Sequence, residues 1–112
     1  MKRIQLVFYQ NASGSEPVKE WLKSLELEDK KIIGKDLHTI ELGYPIGMPL
    51  CRSLGNGLLE CRSNLTGKKI ARVIFCVEET QLIILNGFIK KTRKTPKQEI
   101  ELALKRKKEL GL

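Results

Sequence analysis

The stretch Leu58-Leu59-Glu60-Cys61-Arg62-Ser63-Asn64, followed after Thr66-Gly67-Lys68 by Ile70-Ala71-Arg72-Val73-Ile74-Phe75-Cys76-Val77, decides the fold. Both segments are strand-sized, and the residues between them favour a turn. Side chains alternate across a strand. Leu58, Glu60, Arg62 and Asn64 therefore share one face, with Leu59, Cys61 and Ser63 on the other. In the second segment Ile70, Arg72, Ile74 and Cys76 alternate against Ala71, Val73, Phe75 and Val77. Arg72 is thus one cation in an otherwise apolar run, and an inward arginine requires a partner.

The register sets what these cations face. If the turn pairs Asn64 with Ile70, Arg62 lies directly opposite Arg72, where like charges repel. If the next turn, Glu78-Glu79-Thr80, pairs Val77 with Gln81, then Asn86 lies opposite Arg72, and Phe88 and Lys90 continue along that face. A slip of one residue would separate these groups. The expected result is a concave strip of Arg62, Arg72 and Lys90, with Lys91, Arg93 and Lys94 just beyond it, suited to binding phosphate. Phe88 offers either a ring for base stacking or a core residue. The bland alternative for each arginine is an internal pair with a carboxylate such as Glu60 or with backbone carbonyls.

Outward from this hairpin, Leu50 to Leu54 and Gln81 to Ile89 read as further strands, so the region from Leu50 predicts an antiparallel meander. Upstream, Ile4 to Tyr9 reads as a first strand. A helix follows, capped by Ser15, with Pro17 in its first turn and Val18, Trp21, Leu22 and Leu25 on one face. A second helix fits Asp29 to about Leu42, with Ile33, Leu37 and Ile40 on one stripe, and makes a helical hairpin with the first. At the C-terminal end, Thr95 is expected to cap a helix that has Pro96 at its first position and Gln98 completing a capping box. The order β-α-α-β-β-β-β-α predicts one α+β domain over residues 1–112, a helical hairpin packed on an antiparallel meander.

The 112 residues carry 21 Lys and Arg against 13 Asp and Glu. Residues 1–50 hold seven of each sign, residues 51–89 five basic and three acidic, and residues 90–112 nine basic and three acidic. The positive excess therefore lies toward the C-terminal end, which favours a polyanion, a membrane surface or an acidic protein as partner. Lys105, Arg106, Lys107 and Lys108 read as cations complementing a helix C-terminus and stay outside the site. No stretch has the length of a signal core or a membrane span, so a cytoplasmic protein is expected. Cys51, Cys61 and Cys76 lack metal-site spacing and read as core residues. A single histidine, His38, rules out the two-histidine acid–base arrangement of a standard ribonuclease.

Taken together, Gly57-Leu58-Leu59-Glu60-Cys61-Arg62, Ala71-Arg72-Val73-Ile74-Phe75, the segment Leu85-Asn86-Gly87-Phe88-Ile89-Lys90-Lys91-Thr92-Arg93-Lys94-Thr95-Pro96 and the helix from Glu99 to Lys107 resemble the phage-derived, HigB-like branch of the RelE/ParE toxin superfamily. The resemblance implies the toxin of a type II toxin–antitoxin pair, a RelE-like fold, and ribosome-dependent cleavage of mRNA that inhibits translation. It implies a helix-turn-helix, HigA-like antitoxin as partner, mRNA on the ribosome as substrate, and no membrane. It places phosphate-binding and catalytic cations at Arg62, Arg72, Lys90 and Lys91, with Lys94 as an addition, and needs no cofactor or metal; from the residues themselves, Arg93, Lys94 and Phe88 are the expected RNA-binding side chains. The chain departs from RelE in lacking lysines on the strand of Leu58 and Glu60 and an evident C-terminal tyrosine. Other readings are a ParE-like DNA gyrase inhibitor and a non-catalytic nucleic-acid-binding protein. Replacing Arg72 with Ala is expected to stop cleavage without unfolding the chain.

Overall fold

In a computed structural model, residues 4–47, 50–90 and 93–112 are described. They form β1 (Gln5–Phe8), α1 (Pro17–Ser24), α2 (Leu27–Gly43), β2 (Cys51–Gly55), β3 (Leu58–Asn64), β4 (Ile70–Glu78), β5 (Gln81–Lys90) and α3 (Lys97–Glu109). One short 3-10 turn, Thr66–Lys68, joins β3 to β4. The sheet has the order β1-β5-β4-β3-β2. The four strands from β2 onward are the expected antiparallel meander, and β1 adds in parallel to β5, with Gln5 opposite Gln81 and Phe8 opposite Ile84.

The strand alternation sorts the core into two layers. Ala71, Val73 and Phe75 of β4 and Cys61 of β3 face the helical hairpin, packing with Val18 of α1 and Ile33, Leu37 and Ile40 of α2. Leu58, Ile74, Cys76, Leu85 and Phe88 face α3 and meet Ala103. A two-residue turn at Asn56 and Gly57 connects β2 to β3, with φ of 54° and 75°. Those left-handed values suit Asn-Gly in the hairpin turn whose twist matches the strands. Lys107 of α3 donates to the Asn56 carbonyl at 2.9 Å and fixes this turn.

Three expectations about local structure are corrected. Helix α1 begins after Glu16, not on a Ser15 cap, because the Asn11 side chain accepts the amides of Ser13 and Ser15 and holds Ser15 in the preceding turn. Helix α3 begins at Lys97 with no side-chain cap, because the Thr95 hydroxyl donates to the buried Glu60 carboxylate instead. Arg72 stands opposite Phe88, not Asn86. The β4–β5 turn pairs Glu78 with Gln81, and an irregularity beside Leu85 then adds one residue to β5 before Ile74 meets Asn86.

Candidate functional site

The expected pairing of β3 with β4 places Arg62 directly across from Arg72, as Asn64 is across from Ile70. Two like charges at such positions repel unless each has its own acceptor. Both acceptors come from the chain that leaves β5. The Arg62 Nη2 donates to the Arg93 carbonyl at 2.7 Å, and the Arg72 Nη1 donates to the Lys94 carbonyl at 2.7 Å. The guanidinium forks thus draw this segment against the sheet with its carbonyls inward, while the Arg93 and Lys94 side chains are exposed.

Glu60 lies between these groups and has no exposed surface. Its Oε1 accepts from Arg62 Nε at 2.7 Å and lies 3.3 Å from Arg52 Nε, the residue opposite it on β2. Its Oε2 accepts from the Thr95 hydroxyl. A buried carboxylate is tolerated only when its lone pairs are filled in this way. One carboxylate serves three arginines, so the cluster keeps a net positive charge among the described residues. Arg72 is wholly buried, and that burial, with the Arg62 charge beside it, pushes its guanidinium below the ordinary value. It stays charged all the same.

The other expected residues divide by exposure. Lys90 ends β5 opposite Ile70 and is exposed, as are Arg93 and Lys94, so these three present cations at one end of the sheet. Phe88 is 7% exposed and belongs to the core beneath α3, so the structure gives its ring packing rather than a free face. Lys91 lies outside the described residues. His38 is exposed on α2 and sits 3.6 Å from Glu41. Among the described residues, no group of His, Cys, Asp or Glu side chains could hold a metal ion, and no helix is long and apolar enough to cross a membrane.

Sequence reasoning missed Arg52 and Thr95 as members of this network. Arg52 could have been found, because a hairpin turn at Asn56-Gly57 places it beside Glu60. Thr95 could not, because its role depends on where the chain crosses the sheet after β5. Asn86, freed from the position opposite Arg72, donates to the Glu99 carbonyl at 3.0 Å and anchors the start of α3.

A helical hairpin on one face of a mixed sheet, a terminal helix on the other and a cationic cluster at the sheet end define a small α+β protein of RelE-like fold. Its architecture resembles that of the RelE/ParE/HigB superfamily. Residues 20–108 match the family described as phage derived protein Gp49-like (DUF891), and the chain belongs to that family. No curated protein matches it.

Proposed function

We propose that this Gp49-like protein is the toxin of a type II toxin–antitoxin pair and cleaves mRNA on the ribosome, as HigB-like members of the RelE/ParE superfamily do. The observation that carries the reading is the paired anchoring of Arg93 and Lys94 by Arg62 and Arg72, which gathers exposed cations around a cluster that one carboxylate leaves positive. Such a surface suits a phosphodiester. In RNA the 2′-hydroxyl can attack the adjacent phosphate, and the enzyme then has to align the attack and stabilise charge growing on the phosphoryl oxygens.

In this reading Arg62, 21% exposed through its side chain, contacts the phosphate with its outward guanidinium edge. Its Nη1 has no hydrogen-bond partner among the described residues, and a guanidinium suits bidentate binding to oxygen. Lys90 or Lys91 takes or gives the proton. Arg93 and Lys94 hold the flanking RNA. Arg72 acts from beneath, through the Lys94 carbonyl and as buried positive charge, and Phe88 supports it. The ribosome supplies the positioning that so simple a site lacks, and a HigA-like helix-turn-helix antitoxin silences it.

The test is brief expression of the wild-type chain and of Arg62→Ala, with mapping of mRNA ends and of DNA breaks. Codon-associated mRNA ends that vanish in the folded variant support the nuclease. DNA damage with intact mRNA supports ParE-like gyrase inhibition instead.

A further inference from the structure

A groove of about 390 Å³ opens beside the cluster, where β2 begins, lined by Ile32, Lys35 and Asp36 of α2, by Leu50, and by Arg62 and Asn64 of β3. Its volume falls toward the lower end of the roughly 300–1,000 Å³ typical of small-molecule sites. Arg62 belongs to both the groove and the cationic cluster. Ile32 and Leu50 are half-buried and give the groove apolar wall, whereas Lys35 and Asn64 are exposed polar residues.

Asp36 decides what the groove can hold. It is half-buried and makes no ion pair or side-chain hydrogen bond among the described residues. Its negative charge reaches inward far enough to raise the Cys51 and Cys61 thiols. A carboxylate accepts hydrogen bonds and donates none. Inside the groove it disfavours a phosphodiester, which also offers only acceptors, and it selects a ligand edge that carries donors. Among RNA bases, guanine alone presents two adjacent donors, N1–H and N2–H, which match the two oxygens of one carboxylate. Its neighbouring O6 is an acceptor for the Lys35 ammonium or the Asn64 amide, and its flat faces suit Ile32 and Leu50. Adenine and cytosine offer one amino donor next to a ring nitrogen whose lone pair meets the carboxylate unfavourably.

We propose that this groove is a base subsite for guanine in an RNA strand whose adjoining phosphate lies on Arg62. The proposal rests on the RNA reading of the cluster and adds to it a base preference. Asp36 is the specificity-determining residue, Lys35 and Asn64 complete the polar edge, and Arg62 links base to phosphate.

The test uses the full chain and needs no cleavage. Guanosine, adenosine, cytidine and uridine monophosphates are titrated while backbone amide resonances are followed by NMR, first with the wild type and then with Asp36→Asn. Guanosine monophosphate is expected to shift the amides of Ile32, Asp36 and Asn64 and to bind about tenfold tighter than the others, within the range of one good bidentate base contact. Asp36→Asn is expected to bring all four to similar affinity, with the spectrum outside the groove unchanged. Asp36→Glu, which keeps the carboxylate, is expected to retain part of the preference. Equal affinity for all four nucleotides in the wild type, or an unchanged guanine preference in Asp36→Asn, overturns the proposal. So does a groove whose amides respond to a helix-turn-helix partner and to no nucleotide. Guanine binding by a chain that cuts no mRNA would remove the nuclease reading and leave the subsite standing. Cutting by a chain with no base preference in the groove would do the reverse.

Discussion

Arg62 and Arg72 occupy paired positions on neighbouring strands, and their guanidiniums donate to the carbonyls of two consecutive residues, Arg93 and Lys94. The pairing explains how the sheet carries two like charges side by side. Each charge has a separate carbonyl, and Glu60 adds a carboxylate from the same face. The chain before α3 is therefore fastened from below at successive residues, and the Arg93 and Lys94 side chains turn toward solvent.

Glu60 is the joint of this arrangement. Glu60→Ala should leave Arg62 and Thr95 without their shared acceptor and Arg52 without its ion-pair partner, and lower stability by about 3–5 kcal/mol, the range for breaking a buried pair. Glu60→Gln, which still accepts from Thr95, should lose less. Urea denaturation of the two variants checks both values and their order.

Arg72→Ala is a stability variant as well as an activity variant, contrary to the expectation that it would leave the fold intact. The side chain is wholly buried, and its loss opens a cavity and removes its hydrogen bond to the Lys94 carbonyl. A loss of about 3 kcal/mol is expected. Arg62→Ala, at a partly exposed position, should lose less, so activity loss in Arg62→Ala with a near-normal melting curve would separate chemistry from folding.

Gly87 lies under the Trp21 ring. A Cβ there would sit 2.5 and 2.8 Å from two ring carbons and 3.2 Å from a Val18 methyl. Gly87→Ala should therefore lower stability by about 1–3 kcal/mol through overpacking. Adding Trp21→Leu should give a combined loss smaller than the sum of the single losses, a coupling that a double-mutant cycle measures.

Burial pushes the Cys61 thiol up to about 12, with the adjacent Cys51 adding to the shift. Because the thiolate is the reactive form, Cys61 should resist alkylation at neutral pH until the chain unfolds. The raised folded value also sets a pH dependence. Below the ordinary thiol value of 9.0 the contribution to stability is intact, and it is lost as pH rises from 9.0 toward about 12. Mass-spectrometric counting of alkylated thiols, with and without denaturant, tests the first point, and denaturation midpoints across alkaline pH test the second.

Tyr9 donates to Glu109 and lies under the Arg106 guanidinium, 5.1 Å from its ring centre. The hydrogen bond to the carboxylate, followed by burial, raises the phenol above its ordinary value of 10.0. Stability should again fall as pH rises above that value, because the unfolded chain ionises there first. Tyr9→Phe should flatten this loss, as alkaline melting curves would show.

Much of the fold is legible in the alternation of a few segments. Leu58 to Asn64 reads as a strand with its observed ends, and the Arg62–Arg72 pairing follows from the short turn between β3 and β4. The helical hairpin follows from Trp21, Leu22, Ile33, Leu37 and Ile40. The parallel docking of β1 on β5 is less visible, since nothing local in Gln5 to Phe8 names its neighbour. The site is legible in its cations and obscure in its acceptors. The Arg93 and Lys94 carbonyls have no residue identity to read, and Asp36 joins Arg62 only because a helix and a strand far apart in sequence meet. Thr95 misleads because capping is a local rule, whereas the buried Glu60 is a stronger acceptor brought by the tertiary fold.

The extra residue beside Leu85 makes the parity of β5 a functional constraint. It turns both Leu85 and Asn86 toward α3, and it lets Gly87 fall under Trp21 and Phe88 under the terminal helix. Were the strand to run on without this irregularity, every later side chain would change sides, with Asn86 taking the place of Gly87, where only a hydrogen fits, and Lys90 carried off the cationic end. The doubled step at Leu85 and Asn86 thus decides which face each residue up to Lys90 presents.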